Sequence, residues 1–142
     1  MDEDAARSRV ADARVARLAT VAADGSPHVV PCCFVLDGDT IYSAVDAKPK
    51  TTARLRRLAN VRANPNAALL VDHYDDDWST LWWVRADGAA RVLDIDGEAG
   101  ERDDALTLLA AKYHQYRTDP PAGPVLAIDV SRWTGWAFSS AP

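Results

Sequence analysis

Within this 142-residue chain, the residues best suited to chemistry lie in the junction Ser43-Ala44-Val45-Asp46-Ala47-Lys48-Pro49-Lys50-Thr51-Thr52. A β-type run ends there, a short loop carries two of the three lysines, and a predicted helix begins at a threonine. A helix N-terminus presents N–H groups without intrahelical partners and a partial positive charge, so it binds phosphate readily. Lys48, Lys50 and the hydroxyls of Thr51 and Thr52 complete a phosphate site. The net charge is −5, yet residues 47–71 hold Lys48, Lys50, Arg54, Arg56, Arg57 and Arg62 and no acid. Such a segment either meets a localised anion or forms a solvated helix face.

Other chemistries find no support in the residue pattern. A Gly-x-Gly-x-x-Gly fingerprint and a Gly-Lys-Ser/Thr loop are both missing, which argues against a Rossmann dinucleotide site and a P-loop. His28, His73 and His114 form no pair at metal-ligand spacing, and Asp75-Asp76-Asp77 lacks the glycine and alternating oxygens of a calcium loop, so no metal site is expected. Cys32 and Cys33 are adjacent; on a strand they face opposite sides, as small strand residues rather than a redox pair. The acidic balance argues against a nucleic-acid partner. No run of about 20 apolar residues could cross a membrane, and the charged start of the chain does not read as a signal peptide, so a cytoplasmic location is expected.

The elements that position the junction follow from turn chemistry and periodicity. Asp24-Gly25, Asp37-Gly38 and Asp87-Gly88 each separate apolar or β-branched runs, a strong hairpin signal. The first two predict a meander of strands over 15–22, 28–36 and 40–45. A further strand is expected over 67–74, a hairpin over 80–85 and 89–95, and a last strand over 125–130. Helices are predicted over 3–13, over 51–61 with Thr51 or Thr52 as N-cap, and over 101–116. In the last of these, Leu106, Leu109, Tyr113 and Tyr116 recur at core-facing spacing. The whole chain, 1–142, reads as one mainly antiparallel barrel domain with peripheral helices.

Several of these stretches resemble a known family. Arg17-Leu18-Ala19-Thr20-Val21, then Asp24-Gly25-Ser26-Pro27-His28, then residues 29–34, resemble the flavin split-barrel superfamily of pyridoxamine 5'-phosphate oxidase-like proteins. The lysine loop, the arginine-rich helix and Asn64-Pro65-Asn66-Ala67-Ala68-Leu69-Leu70-Val71-Asp72 continue the likeness. His73-Tyr74-Asp75-Asp76-Asp77-Trp78 and Leu81-Trp82-Trp83-Val84-Arg85 look most like the branch using the deazaflavin coenzyme F420. The resemblance implies a split antiparallel β-barrel, as in FMN-binding split barrels, with two or three peripheral helices. It also implies a homodimer with cofactor sites at the subunit interface.

The same resemblance puts the cofactor phosphate at Lys48, Lys50, Thr51 and Thr52. The ring would lie against His28, Val30, Pro31 and Ser43, and Trp78 would approach from the partner subunit. Proline at position 31 departs from the polar residue of several relatives. The motif by which pyridoxamine phosphate oxidases hold vitamin B6 is absent. The expected function is hydride transfer from reduced F420 to a small conjugated acceptor, with Arg54 and Arg57 near the cofactor's anionic tail. An FMN-dependent oxidoreductase on the same scaffold and a cofactor-binding protein without turnover are the alternatives. Adjacent Trp82 and Trp83 must point to opposite faces of a strand and one barrel has one interior, so one of them packs elsewhere, either against a partner subunit or under a helix or the C-terminal segment of the same chain.

Overall fold

A computed structural model describes residues 1–45, 52–95, 97 and 100–139, and of residues 52–55 only the backbone. Seven strands form one antiparallel sheet: β1 (Ala16–Val21), β2 (Pro27–Cys32), β3 (Val35–Asp37), β4 (Thr40–Ala44), β5 (Asn66–His73), β6 (Trp82–Leu93) and β7 (Val125–Ala137). Their spatial order is β2-β1-β5-β6-β7-β4-β3. β2 and β3 are therefore the two edges of the sheet, although only Cys33 and Phe34 separate them in the chain. Laid flat, seven strands would put those edges about 29 Å apart. The two-residue link spans only about 10 Å. The sheet must curl, and a barrel split between β2 and β3 results, as expected.

Helices cover this barrel unevenly. α1 (Glu3–Asp12) buries Ala6 and Val10, and the Asp2 carboxylate accepts from the Ala5 N–H at 2.8 Å as its N-cap. Its Arg9 stacks over Trp82, 4.5 Å from the ring centroid. α2 (Thr52–Ala63) turns Leu58 and Val61 into the main core beside Leu18, Phe34, Ile41, Leu69 and Val84. α3 (Glu101–Lys112) lays Ala105 and Leu109 on the outer face of β4 and β7, against Tyr42, Ala44, Val125 and Ala127. β4 is consequently buried on both faces. A short α4 (Gln115–Thr118) follows, so the helix predicted over 101–116 breaks at Tyr113.

Among the strands, the last runs from Val125 to Ala137 rather than ending near 130, and two further expectations change. The run 28–36 is two strands rather than one, because its halves pair with opposite ends of the sheet: β2 with β1 and β3 with β4. Asp87-Gly88 is no hairpin turn; it lies inside the continuous strand β6. Ser131 is extra on the facing strand, where Asp87 pairs with Arg132 but Gly88 with Val130. A Cβ on Gly88 would come within 2.1 Å of the Asp129 carbonyl oxygen, so glycine is required for close approach. Asp24-Gly25 and Asp37-Gly38 are true turns, with φ of +90° and +62° at the glycines.

The crossover at Cys33 and Phe34 has backbone groups that neither edge ladder can pair. Side chains take them instead. The Tyr113 hydroxyl accepts from the Phe34 N–H at 3.0 Å and lies 2.9 Å from the Phe34 carbonyl and 3.0 Å from that of Arg14, either of which can accept its proton. The Ser43 hydroxyl donates to the Cys33 carbonyl at 2.8 Å. At the other end of α3, Arg91 holds Glu101 at 2.6 Å and Asp129 at 2.7 Å, and Tyr42 donates to Glu101 at 2.8 Å.

Two predictions come from these contacts. Tyr113→Phe leaves the Phe34 N–H and carbonyl buried without that partner, so it should cost about 1–3 kcal/mol in a urea melt; a loss under about 0.5 kcal/mol would contradict this role. Arg91 beside Asp129 and Glu101 holds both carboxyls below their ordinary 3.8 and 4.5. A depressed folded value means stability present above the ordinary value and lost as pH falls through the folded one. Arg91→Met should therefore lower stability at pH 7 and flatten its decline below about pH 4.5; an unchanged acid limb would contradict the pairing.

Candidate functional site

The β2–β3 crossover, the end of β4 and the side of α2 border a solvent-open cavity of about 260 Å³, lined by Val15, Pro31, Cys32, Cys33, Ala44, Arg57 and Tyr116. Ala44, the last residue of β4, and Arg57 of α2 both stand on its lining. Lys48, Lys50 and Thr51 lie outside the described residues; Thr52 begins α2 by its backbone, and its side chain lies outside them too. Val15, Cys33 and Tyr116 also line a second cavity of about 570 Å³, together with Arg14, Tyr113, Gln115, Thr118 and Asp119.

The strand pleat decides which expected site residues share this space. Along β2 exposure alternates, so His28, Val30 and Cys32 face the barrel interior, and Pro27, Val29 and Pro31 face out. Pro31 lines the smaller cavity; Val30 packs on the core instead. His28 sits opposite Thr20, whose hydroxyl accepts from the Asn60 amide at 3.1 Å, and its Nδ1 is buried with no hydrogen-bond partner among the described residues. Ser43 is buried under the crossover with its hydroxyl committed to Cys33. Trp78 stands in a 3-10 turn after β5, 67% exposed, well outside this lining. The structure thus unites Pro31 with the Ser43–Cys33 corner and separates His28, Val30 and Trp78 from it.

Cations gather around the corner. Arg57 lines the smaller cavity and Arg14 the larger. The Lys112 ammonium lies 4.0 Å from the Phe34 ring centroid and 5.3 Å from that of Tyr113; burial, and then the neighbouring Arg14 charge, pull its pKa down to about 8. Burial raises the Cys32 thiol, which keeps it protonated at neutral pH. Arg62, by contrast, leaves this region and pairs with Asp94 at 2.7 Å. Asp75 and Asp77 form a turn that caps the 3-10 helix through Ser79. Among the described residues no three His, Cys, Asp or Glu side chains converge on a metal position, and no helix there is long and apolar enough to cross a membrane.

The residues present fit a flat ring with an anionic group: an apolar floor at Pro31 and Ala44, an aromatic wall at Tyr116, and a guanidinium at one side. Sequence reading named Arg57 for its charge but overlooked Arg14, Cys33 and Tyr116. Tyr113 is the core residue its spacing predicted. Tyr116, three residues later, stands edge-to-face with it at 5.7 Å and forms cavity wall, a role that helical spacing could not reveal.

A second feature is the outer face of the other half of the barrel. Val29, Ala19, Ala68, Leu70 and Trp83, with Arg17, Asp72, Tyr74 and Arg85, line an open groove of about 520 Å³. Trp82 points the opposite way, into the core under α1, so the adjacent tryptophans do divide between two faces.

Comparison with known proteins agrees with this architecture. No curated protein sequence matches the chain. Among solved structures, a conserved hypothetical protein from Mycobacterium tuberculosis superposes with a TM-score of 0.76 at 20% identity, covering 97% of this chain and 86% of that one. An FAD-binding protein from Mesorhizobium loti gives 0.70 at 21% identity over 95% and 94%. The heme storage protein HutZ from Vibrio cholerae gives 0.69 at 13% over 95% and 93%. At these identities the likeness is one of fold. The family model for pyridoxamine 5'-phosphate oxidase matches residues 2–137. With that span nearly the whole chain is accounted for, and the protein belongs to the pyridoxamine 5'-phosphate oxidase-like family of flavin split barrels.

Proposed function

We propose that this protein is an oxidoreductase that uses reduced coenzyme F420 to reduce a small conjugated acceptor. The observation that carries the reading is the cavity at the barrel's split, which joins an aromatic and apolar lining to Arg57 between the end of β4 and the side of α2. When bound, such a cofactor supplies a hydride, and the acceptor takes up one proton to complete the two-electron reduction. The protein's part is to bind, orient and exclude water. Pro31 and Tyr116 present flat surfaces to the ring, and Lys48, Lys50, Thr51 and Thr52 meet the phosphate. Arg57, with Arg54 earlier in the same helix, meets the anionic tail. His28, Val30 and Ser43 shape the strands behind the ring rather than touch it.

FMN is the second candidate, favoured by the FAD-binding neighbour and by a phosphate junction that would serve either group. The likeness to a heme storage protein supports binding without turnover as a third reading. Fluorescence titrations with F420 and FMN separate the first two: tight FMN binding without F420 binding would reject the F420 assignment. Reduction of an acceptor panel tests turnover.

We also infer a homodimer through the open groove. Val29 is 63% and Tyr74 59% exposed there, and Trp83 lies beside them. A second copy would cover this apolar face and bring Trp78, beyond the end of β5, toward its partner's cofactor site. Val29→Glu should shift the protein from dimer to monomer in light scattering at micromolar concentration, with folding stability changed by under about 0.5 kcal/mol. A wild-type monomer under those conditions would end this inference.

For the phosphate junction, Lys50→Ala should weaken the cofactor by roughly 10- to 150-fold, the worth of a charge-assisted hydrogen bond. Arg62→Ala is the control, because Arg62 lies at the far end of α2 and is paired with Asp94. Equal losses at both positions would mean diffuse charge attraction, and no loss at Lys50 would remove the site.

A further inference from the structure

The larger cavity has a chemistry of its own. Its volume of about 570 Å³ falls within the range of small-molecule sites, about 300 to 1,000 Å³, whereas the smaller cavity's 260 Å³ can take only part of a cofactor and leaves the rest in the open. One wall is the edge-to-face pair Tyr113 and Tyr116. One cation, Arg14, stands over it in a fixed pose: its Nη2 donates to the Lys112 carbonyl at 2.9 Å, and its guanidinium lies 4.9 Å from the Tyr113 ring centroid. Among the described residues the other guanidinium donors of Arg14 have no hydrogen-bond partner. That planar fork matches a carboxylate. Arg14, with the Lys112 ammonium 5.3 Å from the Tyr113 ring centroid, is what favours an anion here, and Asp119 on the same lining penalises a second negative charge on the ligand.

We propose that this cavity is the acceptor site, taking a flat conjugated molecule with one carboxylate, its ring along Tyr116 and its carboxylate on Arg14. The proposal rests on the reading of the smaller cavity as the cofactor site. The two spaces share Val15, Cys33 and Tyr116, so a molecule in the larger one abuts whatever fills the smaller.

The test uses 2-naphthoate, a flat monoanion, and its uncharged counterpart 2-naphthamide. Binding is followed by probe fluorescence and, in the wild-type protein, by nuclear Overhauser effects from naphthyl protons to the Tyr113 and Tyr116 rings. Naphthoate should bind about tenfold or more tightly than the amide. Arg14→Gln should remove that difference by weakening naphthoate alone, and Arg14→Lys should restore part of it. Saturating F420 should leave naphthoate bound. Equal naphthoate affinity in wild type and Arg14→Gln, absence of Overhauser contacts to the tyrosines, or displacement by F420 would each overturn the proposal. Arg14 also caps α3; should Arg14→Gln fail to fold, the wild-type ratio of naphthoate to naphthamide and the Overhauser contacts decide. Lys50→Ala should weaken the cofactor and leave naphthoate unaffected. Naphthoate binding as expected, with cofactor affinity untouched by Lys50→Ala, would retain the carboxylate site and reject its assignment as the acceptor site.

Discussion

Everything about the site depends on how the chain passes from one edge of the sheet to the other. At Cys33 and Phe34 the backbone leaves β2 and enters β3, and its polar groups fall between two ladders, where water has little access. Unpaired, each would cost about 1–3 kcal/mol. The Tyr113 and Ser43 hydroxyls satisfy them, one from the end of α3 and one from β4. The same contacts fasten α3 to the split. The crossover, the helix and the two cavities beside them therefore form one construction.

α3 is fixed at both ends by charge as well as by packing. Glu101 in its first turn meets Arg91, and its last carbonyls accept from arginines: Ala110 and Ala111 from Arg117, and Lys112 from Arg14. Cations at a helix C-terminus oppose its partial negative charge and are favourable there. Arg14 thus serves the fold and the cavity together. A protein of net charge −5 can attract anions at this corner because Arg14, Arg57 and Lys112 are local and partly desolvated, where Coulomb forces are least screened.

The barrel's two halves are finished differently. α3 covers the outer face of β4 and the first half of β7, where Tyr42, Ala44, Val125 and Ala127 are buried. No described element covers the outer face of β1, β2, β5 and the first half of β6, and Val29, Leu70 and Trp83 line a groove there. Pro31 stands at the end of this face and also walls the smaller cavity, so the uncovered surface and that cavity adjoin.

Local signals in the sequence determined most of the elements. The helix at 3–13 needed only composition and that at 51–61 only a cap and periodicity, and the turns at Gly25 and Gly38 needed only the positive φ that Asp-Gly favours. Asp87-Gly88 carried the same local signal and meant something else, because whether glycine serves a turn or a close approach depends on Asp129, some forty residues away in the chain. The run 28–36 likewise looked like one strand, since strand propensity does not encode which edge each half will join. For the site, the family resemblance grouped His28 and Val30 with Pro31, and only the folded strand shows Pro31 on the cavity lining with His28 and Val30 turned to the interior. Arg14, Cys33 and Tyr116 come from three distant segments and carry no shared motif. Local chemistry is written in neighbouring residues; a cavity is made by residues that meet only after the sheet has closed, and long-range pairing alone decides that meeting.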